Sequence, residues 1–361
     1  MTTGPLQRYP PPVTSLTALG ALGEQIATNN GQSSAVTRVE GRGTGPGLLF
    51  KRYKKPLDNT DVKRLDRLIA FGRSDAAAGR PAREVLLRHT SWPVTRVEDD
   101  DCATIGCLIP LAPDGFRTPA GGYREIDTLA RSDERIRRNG TPPTPDQRIT
   151  ACRCLVGIAA ALEQRRFVYS DWNYANAFWN PDDYSVYLID MDGCAEDSGA
   201  DIRQHGWEDP LAEPRAPADL YTDRYRVALL TGRCLTGERN HAEMLHRLAD
   251  PPPGVPSGAA ETLLDMLLAH NREARPRSSV LLAVLNGGPA VRFPVVRSPL
   301  PKRPAARPDP TPTPLTTPVS KTGPAGSVTG PTPSQDTTNW AVVAVFAALF
   351  LIVIIIAIAS S

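Results

Sequence analysis

The feature that most restricts this chain is an uncharged apolar run of 20 residues, Trp340–Ala359 (WAVVAVFAALFLIVIIIAIA). At ~1.5 Å per residue a helix of that length crosses the ~30 Å hydrocarbon core of a bilayer. The alternative, a buried core helix, is disfavoured because the run has no polar face and follows a stretch whose composition does not fold. The stretch before it, Pro289–Ser334, holds 13 of the chain's 36 prolines and is rich in Thr and Ser. Such a composition buries too little apolar surface to offset the entropy of ordering. Residues 339–361 are therefore expected to form a C-terminal transmembrane anchor and 286–338 a disordered linker. As a coil, that linker's ends lie ~40 Å apart. From Pro289 onward six basic residues face two acidic ones, which favours a cytoplasmic side for everything before the anchor. A tail-anchored, single-pass protein of the cell membrane is the expectation.

What precedes the linker is the candidate core. Residues 1–14 (MTTGPLQRYPPPVT) contain no apolar stretch and read as a flexible leader, not a signal peptide. Met1 to Gly288 carries 35 basic and 37 acidic residues. No basic surface of the kind a nucleic acid requires is legible, so a nucleic-acid partner is not expected. Cys102, Cys107, Cys152, Cys154, Cys194 and Cys234 form no CxxC pair, and the five histidines form no HExxH. Zinc chemistry and a disulfide-stapled module are poor readings, and reduced, mostly buried thiols are expected.

Within 15–285 the patterning changes along the chain. Ala35–Glu40 and Leu48–Tyr53 flank the glycine-rich Gly41–Gly47 and read as a hairpin. Asn59–Phe71 places Val62, Leu65, Leu68 and Ile69 on one helical stripe. Pro93–Val97 and Cys102–Leu111 read as strands. Thr144-Pro145-Asp146-Gln147 combines a Thr cap, a first-turn proline and a capping-box Gln, starting a helix to about Arg165. Short strands follow at Phe167–Tyr169, Ala177–Trp179 and Val186–Ile189, then helices near Leu220–Thr236, Glu238–Ala249 and Ala259–His270. The expected class is α+β, a small β-rich lobe followed by a larger helical one.

The chemistry concentrates in Phe167–Gly193 (FVYSDWNYANAFWNPDDYSVYLIDMDG). Asp171 is followed five residues later by Asn176, and Asp190 ends an apolar strand. A carboxylate can orient an acceptor hydroxyl and take its proton. An amide oxygen and a second carboxylate can hold Mg²⁺ against triphosphate oxygens. The hairpin between Asn176 and Asp190 returns the second ligand to the first.

These residues resemble the protein-kinase superfamily, whose pattern is H-R-D-x-x-x-x-N, a short hairpin, and a strand ending in D-F-G. Here it is Tyr169-Ser170-Asp171-Trp172-Asn173-Tyr174-Ala175-Asn176, then Val186-Tyr187-Leu188-Ile189-Asp190-Met191-Asp192. The resemblance covers roughly 15–285 and looks closest to divergent relatives of the bacterial eukaryotic-like serine/threonine kinases. It implies a two-lobed fold, ATP and Mg²⁺ as cofactors, and protein substrates. It also implies Asp171 as catalytic base, Asn176 and Asp190 as metal ligands, and Lys51 as the strand lysine on the α/β-phosphates. The family's helix glutamate is missing, and Asp66, with Asp61 behind it, is the nearest substitute. Gly23 and Gly31 stand where the glycine-rich loop belongs, without a clean G-x-G-x-x-G. Asp223 resembles the helix aspartate bracing the catalytic loop. Arg275 resembles a late arginine whose partner would be Glu208 or Glu213.

The departures carry expectations too. Ser170 replaces the arginine that binds an activation-loop phosphate, so gating by that route is not expected. Asp192 replaces the glycine after Asp-Phe, to bind metal or stiffen the loop. Cys194 reads as a buried inert thiol. Two alternatives stay open, a kinase-fold enzyme acting on a small molecule and a non-catalytic kinase-like scaffold at the membrane.

Overall fold

The computed structural model describes residues 9–28, 33–40, 47–138, 140–200, 204–290 and 294–303. It is a mixed α/β structure with a β-rich N-terminal sheet and a helical C-terminal part. The N-terminal strands are β1 (Val13–Ser15), β2 (Leu22–Thr28), β3 (Ser33–Val39) and β4 (Leu48–Tyr53). Helices α1 (Asn59–Arg73) and α2 (Arg80–His89) then precede β5 (Thr95–Glu98) and β6 (Thr104–Pro110). The six strands form one sheet in the order β1-β5-β6-β4-β3-β2. The expected hairpin is present: β3 and β4 pair antiparallel with Val36 opposite Lys51. Its turn, residues 41–46, lies outside the described residues.

Three elements here were not legible. β2 keeps Leu22 and Ile26 exposed, so no apolar alternation marks it. α2 starts after Gly79, which sits at φ 79°, with Pro81 in its first turn. The leader, expected loose through residue 14, is docked from Pro10. β1 runs parallel to β5, Arg96 N–H donates to Pro12 O at 2.8 Å, and the Arg73 guanidinium bonds Pro10 O. A segment with no pattern of its own is ordered by the open edge of β5, which it covers.

The helical part contains α3 (Asp133–Arg137), α4 (Pro145–Gln164), α5 (Leu220–Thr236), α6 (His241–Ala249), α7 (Ser257–Leu268) and α8 (Ser278–Leu285). Between α4 and α5 lie the short strands β7 (Phe167–Val168), β8 (Ala177–Trp179), β9 (Val186–Leu188) and β10 (Ala195–Glu196). α4 begins at the expected capping box, with Thr144 and Gln147 bonded reciprocally to each other's backbone. α4 and α5 form the centre of the core, where Cys152, Leu155, Val156, Val227, Leu230 and Cys234 are buried. No disulfide forms among the six cysteines, four of which are buried.

The folded unit extends past the expected boundary at 285. Pro294–Arg303, read as linker from its prolines, lies against α6 and α7. His270 N–H donates to Val296 O (2.8 Å) and Ser298 N–H to Leu268 O (2.7 Å). Arg297 pairs with Glu261 and Asp265, and Arg303 with Glu243. Charge complementarity to helices distant in sequence supplies the order that composition denies. One compact unit covers Met1–Ala305. Residues 306–361, including Trp340–Ala359, lie outside the described residues. Among the described residues no helix is long and apolar enough to cross a membrane.

Candidate active site

The loop from Tyr169 to Asn176 is held from below by α5. Asp223 accepts the backbone N–H of Tyr169 (2.7 Å) and of Ser170 (2.9 Å). Ser170 needs that anchor because it sits at φ 61°, a left-handed conformation that costs a non-glycine residue roughly 1–3 kcal/mol. Arg226 adds a bond from its guanidinium to Ser170 O. The Tyr169 hydroxyl donates to Ile189 O at 2.7 Å, tying the loop to the end of β9.

Asp171 then faces two amides. Asn173 Nδ2 donates to its Oδ1 (2.9 Å) and Asn176 Nδ2 to its Oδ2 (2.7 Å). Each carboxylate oxygen keeps a second lone pair. Donation through Nδ2 leaves Asn176 Oδ1, the amide atom able to ligate a cation, at the opposite corner of the group. The hairpin brings Asp190 alongside: Ala177 pairs with Leu188, and Ile189 N–H donates to Asn176 O (3.0 Å). Asp190 is itself left-handed, at φ 59°. Ser170 and Asp190 are two of seven described non-glycine residues with positive φ, the others being Cys102, Arg166, Tyr184, Asp197 and Arg215.

Lys51 closes the constellation from the sheet. It lies in β4, which is paired on both sides, so it is not a solvated edge lysine, and only 7% of the residue is exposed. Its Nζ is 2.8 Å from Asp192 Oδ1 and 3.1 Å from Asp190 Oδ1. Burial alone would lower the ammonium's pKa, but the charges of Asp192 and Asp190 outweigh it and hold it above the ordinary value. Asp192 Oδ2 lies 3.1 Å from the Tyr53 hydroxyl, which is 3.3 Å from Cys107 Sγ. Burial, then the charge of Asp192, pushes both the phenol and the thiol up, so both stay protonated. Burial also raises the Asp190 carboxyl, Lys51 pulls it down and Asp192 raises it again.

Not every expected contact forms. Asp66 bonds Arg96 Nε at 2.9 Å and Asp61 pairs with Arg64 at 3.0 Å, so neither partners Lys51. A competing arginine on β5 captures the α1 carboxylate. Gly23 is a β2 residue where a Cβ would meet only the exposed, flexible Glu40 side chain, so packing does not demand glycine there. Gly31 lies outside the described residues. Arg275 pairs with neither Glu208 nor Glu213 but with Asp209, through two 2.6 Å bonds. Glu208 instead accepts the N–H groups of Gly206 and Trp207. Asp192 and Asn173 are the site residues whose contacts sequence reasoning missed. The Asp-x-Asp spacing after an apolar strand was the available signal for the first. Cys194 is buried and its thiol is raised well above the ordinary value by burial, as an inert thiol should be.

Among the described residues no three His, Cys, Asp or Glu side chains converge to cage a metal. A Mg²⁺ held by Asn176 and Asp190 would have to complete its shell with phosphate and water. The donors are hard oxygens, and the carboxylates of Asp190 and Asp192 share a single lysine, a surplus of negative charge that a divalent cation would neutralise. A groove of about 950 Å³ elsewhere, between α2, α4, α5 and α8, is lined by none of these residues. Its Glu163 is committed to Arg224 and to the Ser278 N–H.

Asp223 gives this region a pH signature. Burial pushes its carboxyl up to about 6, against the pull of the Tyr169 N–H, the nearby Trp172 indole and the Ser170 N–H. A folded-state value above the ordinary 3.8 means that folding disfavours the charged form. This group's stability contribution is full below about pH 4 and lost as pH rises through about 6. Asp223→Asn removes that titration. The melting temperature of the variant minus that of the wild type should rise between those pH values and level off above them. A difference independent of pH would show that Asp223 titrates normally.

No protein-family model matches the sequence, and no curated protein is significantly similar to it.

Proposed function

We propose that this chain is an ATP- and Mg²⁺-dependent phosphotransferase with a two-lobed, protein-kinase-like fold, acting on serine or threonine of protein substrates. Its place would be the cytoplasmic face of the cell membrane, with Trp340–Ala359 as anchor. One observation carries the reading. Lys51 of the sheet reaches Asp190 at 3.1 Å across 139 residues, and Asp190 follows a strand end bonded to Asn176, whose amide holds Asp171. Sheet lysine, loop carboxylate, amide and strand-end carboxylate are the parts that in-line phosphoryl transfer needs.

Bound Mg²⁺, held by Asn176 and Asp190, would offset charge on the triphosphate oxygens. Lys51, with three N–H donors, would position the nucleotide while keeping a carboxylate partner. Asp171 would orient the acceptor hydroxyl and accept its proton on a carboxylate oxygen. Asn173 and Asn176 would fix that carboxylate's plane. Ser170 offers no cation for a regulatory phosphate, so activity without prior phosphorylation is part of the proposal.

The test is where label from γ-labelled ATP goes. Incubation of the full-length chain with Mg²⁺ and a generic basic protein should give phosphoserine or phosphothreonine. Label found only on small hydroxyl compounds would replace the protein substrate with a small-molecule one. Neither transfer nor nucleotide binding would favour a non-catalytic scaffold.

A further inference from the structure

We propose that Asp192 is the positioning residue for Lys51, so that the site is set without any carboxylate from helix α1. The proposal rests on the reading of Lys51 as the nucleotide-binding lysine. A lysine in the middle of a doubly paired strand needs a counter-charge, because an isolated buried ammonium is too costly to keep. Helix α1 carries Asp61 and Asp66, yet the first is taken by Arg64 and the second by Arg96. The carboxylate that reaches Lys51 most closely is that of Asp192, at 2.8 Å, with a side chain only 6% exposed.

Asp192 is itself fixed. Its second oxygen lies on the Tyr53 hydroxyl, and Tyr53 is two residues beyond Lys51 on the same face of β4. Cys107, behind Tyr53, pairs directly opposite Lys51 on β6. The lysine, its counter-ion and the group that orients the counter-ion therefore belong to one rigid piece of sheet and the short turn after β9. Asp190 differs: its side chain is 37% exposed. The two aspartates divide the work. Asp192 keeps the ammonium in place, and Asp190 is left to turn toward a cation. Assembly of the site then follows the end of the hairpin and not the position of α1.

Steady-state transfer by the full-length chain tests this with Asp192→Asn, Asp192→Glu, Tyr53→Phe and Asp66→Asn. Asp192→Asn should lower kcat about 10- to 100-fold, the usual cost of losing a group that orients another, with the KM for ATP little changed. Asp192→Glu should recover part of the loss. Tyr53→Phe, which keeps volume and charge, should move kcat in the same direction by a smaller factor, and serves where Asp192→Asn fails to fold. Asp66→Asn should match the wild type. Asp66→Asn falling as far as Asp192→Asn would overturn the proposal. So would Asp192→Asn keeping full kcat while binding ATP more tightly, since Asp192 would then merely compete for Lys51. A wild-type chain that neither binds nor transfers overturns the nucleotide reading itself, and this proposal with it.

Discussion

Truncating Arg275 to alanine is expected to remove about 3–5 kcal/mol of stability, the cost of leaving one member of a buried ion pair alone. Both side chains are fully buried, and Arg275 meets Asp209 through two 2.6 Å contacts. Arg275 also donates to Tyr221 O at 3.0 Å and lies over the Tyr225 ring. The variant leaves the Asp209 carboxylate with only the Leu211 N–H at 3.0 Å and the more distant Arg272 at 3.9 Å, and opens a cavity beside α5. A domain of this kind has about 5–15 kcal/mol in all, so a single change consumes a large share. Chemical denaturation measures it. The double replacement Asp209→Leu with Arg275→Met should recover most of the loss, because a well-packed apolar pair avoids desolvating charge. A loss under about 1 kcal/mol from Arg275→Ala would mean that water reaches the pair.

Replacing Asp190 by asparagine is expected to lower Mg²⁺-dependent transfer by about 100- to 1000-fold, the typical cost of removing one preorganised charge from a reaction site. The fold should survive. Lys51 keeps Asp192 at 2.8 Å, and the neutral amide removes the repulsion between Asp190 and Asp192. Melting temperature should therefore hold or rise slightly while activity collapses, a combination that general unfolding cannot produce. Titrating Mg²⁺ against transfer separates a weakened metal site from a lost one. A variant with most of its activity would show that Asp190 holds no metal.

Much of the architecture could be read from local pattern because local physics decided it. The capping box at Thr144 and Gln147, the stripe of α1 and the approximate span of α5 are each set by neighbours along the chain. Asp171, Asn176 and Asp190 could be read as a group because one loop and one hairpin bring them together. The contacts that escaped are long-range choices between equivalent charges. Asp66 lies on the helix where a partner for Lys51 was expected, but Arg96 is nearer. Arg275 had three acids within a few residues to choose from, Glu208, Asp209 and Glu213, and only Asp209 is buried with it. Nor could composition reveal that Arg297 and Arg303 dock a proline-rich segment on α6 and α7, since the complementary carboxylates lie on helices distant in sequence.

The central claim is that Asp171, beside Asn176, Asp190 and Lys51, receives the proton of a phosphoryl acceptor. The most direct measurement compares full-length wild type and Asp171→Ala with γ-labelled ATP, Mg²⁺ and a basic protein acceptor, each first shown folded by its melting curve. The account predicts transfer by the wild type and a fall of about 10²- to 10⁴-fold in the variant, the range for loss of a positioned general base. Equal labelling by the two proteins would contradict it.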